Sequence, residues 1–290
     1  MKPPKFEYHA PATVDAAVVL LASIGEDAVV LSGGQSLIPM LNLRLANPAD
    51  VIDLGAIGGL ANIESTDRGL DIGTMVTHRQ METDPAVKES LPLAASAAGF
   101  IGYRAIRNRG TIGGSIAHAD PAAEWPAVVL ALDGAITLES TAGSRTVGGE
   151  DFFKSLFTTV KRPDELITSI HLSSRFRNNW GFSEFQRRTG DFAAVAVAVA
   201  CVVSDSVVVE ARVAIAGVAE KPVRCPEAEQ ILLGSSPTRA LEAAHAASDA
   251  FEPVGDSHGS SGFRKRLLFA ETQRAVAQAL GSEVESSPNA

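Results

Sequence analysis

The 290-residue chain carries 34 acidic and 25 basic side chains, a net charge of −9, and is 46% hydrophobic. That balance excludes a nucleic-acid binder, which needs a basic face, and no uncharged apolar run reaches the ~18 residues that span a membrane. Its two cysteines, Cys201 and Cys225, exclude a four-cysteine iron–sulfur cluster within the chain, and its six histidines lack metal-ligand spacing.

Residues 1–5 have no apolar stretch behind them, so no signal peptide is expected and the cytoplasm is the expected compartment. Thr13, with Asp15 in the first turn, predicts a helix running to residue 22. Strands are expected over 29–31, 51–54 and 69–74, and Thr77-x-x-Gln80 is a capping box opening a short helix. Helices are expected over 91–98 and 121–132, the second with Asp120 as N-cap and Pro121 at its first position. Strands return over 135–139, 145–147 and 166–172, and the polar stretch 173–179 predicts a domain boundary.

Beyond it, β-branched and aromatic runs predict strands over 180–187, 193–203 and 207–216, and helices follow over 226–233, 238–251 and 262–280. Strands followed by helices make an α+β unit. The polar stretch 281–290 is expected to be disordered. Cys201 lies in an apolar strand and Cys225 precedes a proline, which predicts two unrelated structural thiols.

Two apolar strands are each expected to run into a paired-glycine turn: Ser32-Gly33-Gly34-Gln35-Ser36 after residues 29–31, and Asn108-Arg109-Gly110-Thr111-Ile112-Gly113-Gly114-Ser115. Without Cβ atoms such turns reach φ > 0 and approach a ligand closely, and their successive N–H groups with flanking hydroxyls suit an anion. One glycine turn alone is more often a tight connection. Two of them point to a long ligand carrying a pyrophosphate. No G-x-G and no G-x-x-x-x-G-K-[ST] exists, so neither a Rossmann unit nor a nucleotide-hydrolase loop is expected.

The residues after the second turn place His118, Asp120 and Glu124 on one cleft, where a carboxylate can accept from ribose or ribitol hydroxyls. Alternatively Asp120 only caps, the stronger reading for it, and Glu124 only complements the helix dipole. Arg104, Arg107 and Arg109 could meet an anionic cofactor, face a partner or be solvated. His118 and Asp120, at i and i+2 on an extended loop, are expected to point apart rather than form a dyad, so no residue is assigned to acid–base catalysis.

The stretch Ser32-Gly33-Gly34-Gln35-Ser36-Leu37-Ile38-Pro39-Met40 with Leu43-Arg44, and Ile101-Gly102 with residues 106–121, resemble the two flavin loops of the molybdenum hydroxylase family. Phe6-Glu7-Tyr8-His9-Ala10-Pro11 and Arg187-Arg188-Thr189-Gly190-Asp191-Phe192-Ala193 match as well, so the resemblance covers nearly the whole chain. It is to the separate medium subunits of the carbon monoxide dehydrogenase type and to the FAD domain of xanthine dehydrogenases. The resemblance implies an α+β chain: a vanillyl-alcohol-oxidase-like FAD-binding domain of two α/β subdomains over 1–175, then a small domain of three antiparallel strands and a three-helix bundle over 176–285, and a disordered end over 286–290.

It also implies noncovalent FAD. By position, Leu31, Ser32, Gly33, Gly34, Gln35, Ser36 and Leu37 wrap the pyrophosphate and part of the ribityl chain. Ile101, Gly102, Gly110, Thr111, Gly114, Ser115, Ala117 and His118 continue the envelope, and Glu124 bonds polyol hydroxyls. Leu166 and Ile167 flank the adenine or ring end, and Phe192 either lies near the isoalloxazine or is an ordinary core phenylalanine. The implied role is an FAD-carrying electron-transfer subunit of a heterotrimer. A large subunit would hold the molybdenum cofactor and a small one two [2Fe–2S] clusters, the implied assembly being a dimer of heterotrimers. A self-contained FAD-dependent oxidoreductase is the alternative, disfavoured because about 110 residues after Asn179 are too few to enclose a substrate pocket. A binding module that has lost its flavin would not need paired glycines at both sites.

Overall fold

In a computed structural model that describes residues 2–234, 239–256 and 259–281, the chain opens with a parallel sheet ordered Glu7–His9, Asp50–Asp53, Ala28–Leu31. Parallel strands need crossovers: the helix Val14–Ile24 links the two outer strands, with the Thr13 hydroxyl accepting from the Ala16 N–H, and the helix Leu37–Leu43 links Ala28–Leu31 to its neighbour Asp50–Asp53. The buried face of Val14–Ile24, Ala17, Val18 and Leu21, packs with Ile52, Leu54 and Leu166.

A second sheet is antiparallel throughout, in the order Ile63–Thr66, Gly69–Gly73, Leu166–Ser173, Ala135–Ser140, Gly143–Gly148. The third comprises Asn179–Phe185, Val195–Ser204, Val207–Ala216 and the two-residue strand Val223–Arg224, which extends the three expected strands by one. Helices Pro226–Leu232, Ala240–Ala250 and Ser261–Leu280 accompany it. The expected helix start at Thr238 and the expected disorder after Gly281 concern residues outside those described.

One strand shows how the cores are divided. Val195–Ser204 alternates Val and Ala, and successive side chains point to opposite faces. Ala196, Ala198 and Ala200 join the core that holds Ile112, Ile116 and Trp125, whereas Val195, Val197, Val199 and Cys201 join the core under the C-terminal helices. The small alanine face lets the helix Glu124–Ala131 lie against the sheet, and that helix is buried along its whole length. Each fully buried valine on the other face contributes about 1.5–3 kcal/mol relative to exposure. Cys201 and Cys225 are both free and buried, and burial pushes their thiols up, to about 12 and about 11.

Two expectations about local structure need correction. The helix expected from residue 121 starts at Glu124: the Asp120 carboxylate accepts from the Ala122 N–H at 2.9 Å and caps a turn instead. The second paired-glycine segment is not a turn but the first turn of the helix Ile112–His118, capped by Thr111.

Candidate functional site

A cavity of about 800 Å³ opens between the parallel sheet, residues 101–124 and the loop 190–192. Of the residues expected at a cofactor, Ser32, Gly33, Gly34, Gln35, Ser36, Leu37, Ile101, Gly102, Gly110, Thr111, Gly114, Ser115, Ala117, His118, Glu124, Leu166, Ile167 and Phe192 all line it. Leu31 does not. Its side chain lies beneath the glycine loop, where its Cδ1 is 3.3 Å from the position a Cβ on Gly34 would take.

The two glycine segments touch. A Cβ on Gly33 would sit 2.2 Å from the Arg109 carbonyl oxygen and 2.7 Å from the Gly110 Cα, so only glycine permits this approach. Gly34 takes φ +73° and turns the chain into the helix Leu37–Leu43. Ser36, at the start of that helix, makes no side-chain cap. Among the described residues, the N–H groups of Gly33, Gly34, Gln35 and Ser36 find no acceptor. They are the unspent donors that an anion-binding loop requires.

The second segment works differently. Its Gly113 N–H donates to the Thr74 carbonyl and its Gly114 N–H to Thr111 Oγ1 at 3.0 Å. These donors are spent within the protein, so the concavity expected here is absent. The glycines give clearance instead: a Cβ on Gly113 would fall 1.7 Å from Thr74 Oγ1. Thr111 Oγ1 also lies 2.7 Å from Ser32 Oγ, tying one loop to the other.

Arg107 neither meets a cofactor anion nor is merely solvated. Its guanidinium donates to the carbonyls of Ile101 and Gly102, at 3.2 and 2.9 Å, and to Glu82 at 3.0 Å. Burial pushes the Glu82 carboxyl up, but hydrogen bonds from Arg79 and Arg107 outweigh it and hold the group below its usual value. The left-handed Gly102, φ +49°, is thereby fixed at the cavity wall.

His78 was not foreseen as part of the site. It lines the cavity, its Nδ1 accepts from the buried Trp125 Nε1 at 2.9 Å, and its Nε2 leaves no room for a Cβ on Gly110. Burial, with Arg107 nearby, lowers its pKa to about 3. It follows the capping Thr77, a signal for a helix start that says nothing of the imidazole's partner 47 residues away.

Glu124 is buried at the head of its helix, and burial raises it to about 7, with a smaller push from Asp120. Glu184, on the C-terminal sheet, is raised to about 9 by burial and by the charge of Glu124, and its Oε2 is buried without a partner. At another wall the Glu165 carboxylate takes a two-pronged contact from Arg145, at 2.6 and 2.8 Å, and one from the Arg162 N–H at 2.7 Å. Burial opposes its ionisation, yet these donors hold it at about 2. Lys161, which burial lowers, donates to the carbonyls of Arg162 and Glu165 beside Leu166.

Phe192 is 62% exposed, so it is not a core residue. Its loop packs through Gly190, φ +87°, onto Gly102 and Tyr103, which brings Phe192 to the cavity mouth.

The free N–H groups, the close-approach glycines and the buried Glu124 in one cavity of about 800 Å³ fit a dinucleotide cofactor. A family model of the FAD-binding domain in molybdopterin dehydrogenase matches residues 4–173, and one of the CO dehydrogenase flavoprotein C-terminal domain matches residues 180–279. The nicotine 6-hydroxylase medium subunit of Paenarthrobacter nicotinovorans is 41% identical over 96% of this chain and 99% of its own. The carbon monoxide dehydrogenase medium chain of Hydrogenophaga pseudoflava is 36% identical over 95% and 97%. Among solved structures, carbon monoxide dehydrogenase from Hydrogenophaga pseudoflava superimposes with TM-score 0.93 at 37% identity over 97% of this chain and 99% of that one. Quinoline 2-oxidoreductase from Pseudomonas putida 86 gives TM-score 0.92 at 35% identity over 97% and 99%.

Proposed function

Because the chain belongs to the FAD-binding medium-subunit family of the molybdenum hydroxylases, we propose that it receives electrons from [2Fe–2S] clusters on a small partner subunit and delivers them to an external acceptor. Oxidation of the organic substrate then takes place at a molybdenum cofactor on a large partner. The working assembly in this proposal is a dimer of such heterotrimers in the cytoplasm. No helix among the described residues is long and apolar enough to cross a membrane.

FAD, when bound, supplies the electron chemistry; the protein supplies binding and orientation. The observation that carries the reading is the loop of unspent N–H groups over Gly33, Gly34, Gln35 and Ser36. These groups hold the pyrophosphate, with Ser32 and Leu37 completing the turn and Leu31 supporting it from below. Ile101, Gly102, Gly110, Thr111, Gly114, Ser115, Ala117 and His118 enclose the polyol and ring. Glu124 accepts from polyol hydroxyls, and their donation favours its ionised form against the burial that raises its pKa to about 7. Leu166, which packs with Leu21 and Leu54, and its neighbour Ile167 flank the adenine end, while Phe192 covers the ring end.

The flavin-binding unit in this reading extends over 1–175 and the C-terminal unit over 176–285, leaving 286–290 as a tail outside the described residues. Purification of the chain from its native host tests the assignment. Two co-eluting polypeptides, one bearing molybdenum and one bearing iron and sulfide, are expected with acid-releasable FAD. Turnover of an organic substrate by this chain alone overturns it.

A further inference from the structure

Four arginines lie on the two segments that reach the mouth of the cavity through Gly102 and Gly190, in a chain whose net charge is −9. Arg104 and Arg109 are exposed on the segment after Gly102, and Arg187 and Arg188 are exposed on the loop that ends at Phe192. None of these guanidiniums meets a carboxylate among the described residues, in contrast to Arg107 on Glu82. The two segments form one surface: Gln186 Nε2 donates to the Phe100 carbonyl at 3.1 Å, the Gly190 N–H donates to Gln186 Oε1 at 3.0 Å, and Gly190 lies against Tyr103. Asp191 is the acidic side chain within that loop, so the surface remains positive.

Its exposed aromatics are Tyr103 and Phe192, and neither segment contains lysine. Arginine and aromatic residues without lysine are the composition enriched at protein interfaces. Permanent interfaces are larger and more apolar, whereas electron-transfer encounters are small and steered by charge. The exposed apolar strip of Ile38, Leu43 and Leu45 has the permanent character. The arginine surface has the transient one.

We propose that this arginine surface docks the acidic face of a soluble electron-carrier protein, which takes electrons from the flavin beneath Phe192. The proposal rests on the FAD reading above and names the acceptor it left open. Each carrier accepts one electron, so two carriers empty one two-electron-reduced flavin and its protons pass to solvent. A small anionic acceptor would not need arginines spread over two separate segments with aromatics between them.

The test measures binding of the FAD-loaded chain to soluble cytochrome b5, an acidic haem carrier, and to cytochrome c, a basic one, by calorimetry over a range of salt concentrations. Wild type should bind cytochrome b5 with affinity that falls as salt rises, and R104E/R187E/R188E should weaken it about tenfold or more. Cytochrome c should show the reverse preference. Equal cytochrome b5 affinity in wild type and variant, tighter cytochrome c binding by wild type, or binding of NAD⁺ that the charge reversal abolishes while cytochrome b5 fails to bind, each overturns the proposal. The visible absorbance of the same wild-type sample separately reports whether FAD is present, so a colourless chain sinks the flavin reading without deciding the docking result.

Discussion

Trp125 Nε1 donates a 2.9 Å hydrogen bond to His78 Nδ1, which fixes the imidazole as the tautomer with its proton on Nε2, facing Gly110. The bond joins the short helix after Thr77 to the buried helix Glu124–Ala131. His78→Leu should leave the indole N–H buried and unsatisfied, at a cost of about 1–3 kcal/mol in urea unfolding. A double variant with Trp125→Phe should lose less than the sum of the two singles. Additive losses would show that the bond does not couple them.

The same histidine makes the fold acid-sensitive. Its folded pKa of about 3 lies below the ordinary 6.5, so the unfolded chain binds a proton that the folded chain refuses. The stability it confers is whole above pH 6.5 and declines as pH falls toward 3. His78→Leu should flatten the loss of stability over that window, measured as unfolding free energy against pH.

Glu184 has the opposite sign. Burial and Glu124 raise its folded pKa to about 9, above the ordinary 4.5, so the folded state holds the proton more tightly. Stability from this group is whole below pH 4.5 and erodes as pH climbs toward 9. Glu184→Gln keeps the shape and removes the charge, so it should raise the Tm at pH 8 and leave it nearly unchanged at pH 4. A lower Tm at pH 8 would show that the ionised carboxylate is stabilised.

Gly33→Val places its Cβ in the Arg109 carbonyl and forces the two loops apart, an overpacking cost of about 1–3 kcal/mol. The variant should remain folded by circular dichroism yet purify with little FAD, read from visible absorbance. Gly114→Val should act in the same direction by crowding the Thr111 hydroxyl 2.9 Å from its Cβ, which also caps the following helix. Normal FAD content in both would mean that the loops are structural turns.

Arg107→Ala removes hydrogen bonds to Ile101 and Gly102 together with the Glu82 pair. Bonds to a charged group contribute about 1.5–3 kcal/mol, and losing them should lower stability and loosen the cavity wall. The expected readout is faster FAD dissociation in dilution experiments. Unchanged dissociation would assign Arg107 to the fold alone.

Local patterns were legible where neighbours in sequence are also neighbours in space. The capping box at Thr77 and Gln80 forms with both of its bonds, and the Val/Ala alternation over 195–201 is a strand between two cores. The second glycine pair departs from the expected turn because a turn and a capped helix start share Thr, Gly and Ser. Only Thr74, 39 positions upstream, shows that Gly113 is there for clearance. His78 and Arg107 were unreadable for the same reason, since Trp125 and Glu82 are set against them by the tertiary fold. Asp120 and Pro121 predicted a helix three residues early because the same pair also opens a simple turn.

Ser32 and Thr111 face each other at 2.7 Å from positions 79 residues apart, and Phe192 lines the same cavity from further still. A ribosome must therefore release almost two thirds of the chain before any part of it can hold its cofactor fully enclosed. Full enclosure of the cofactor is thus a late event in the making of a molecule. Colour thereby becomes a quality mark, borne by molecules whose distant segments have already met.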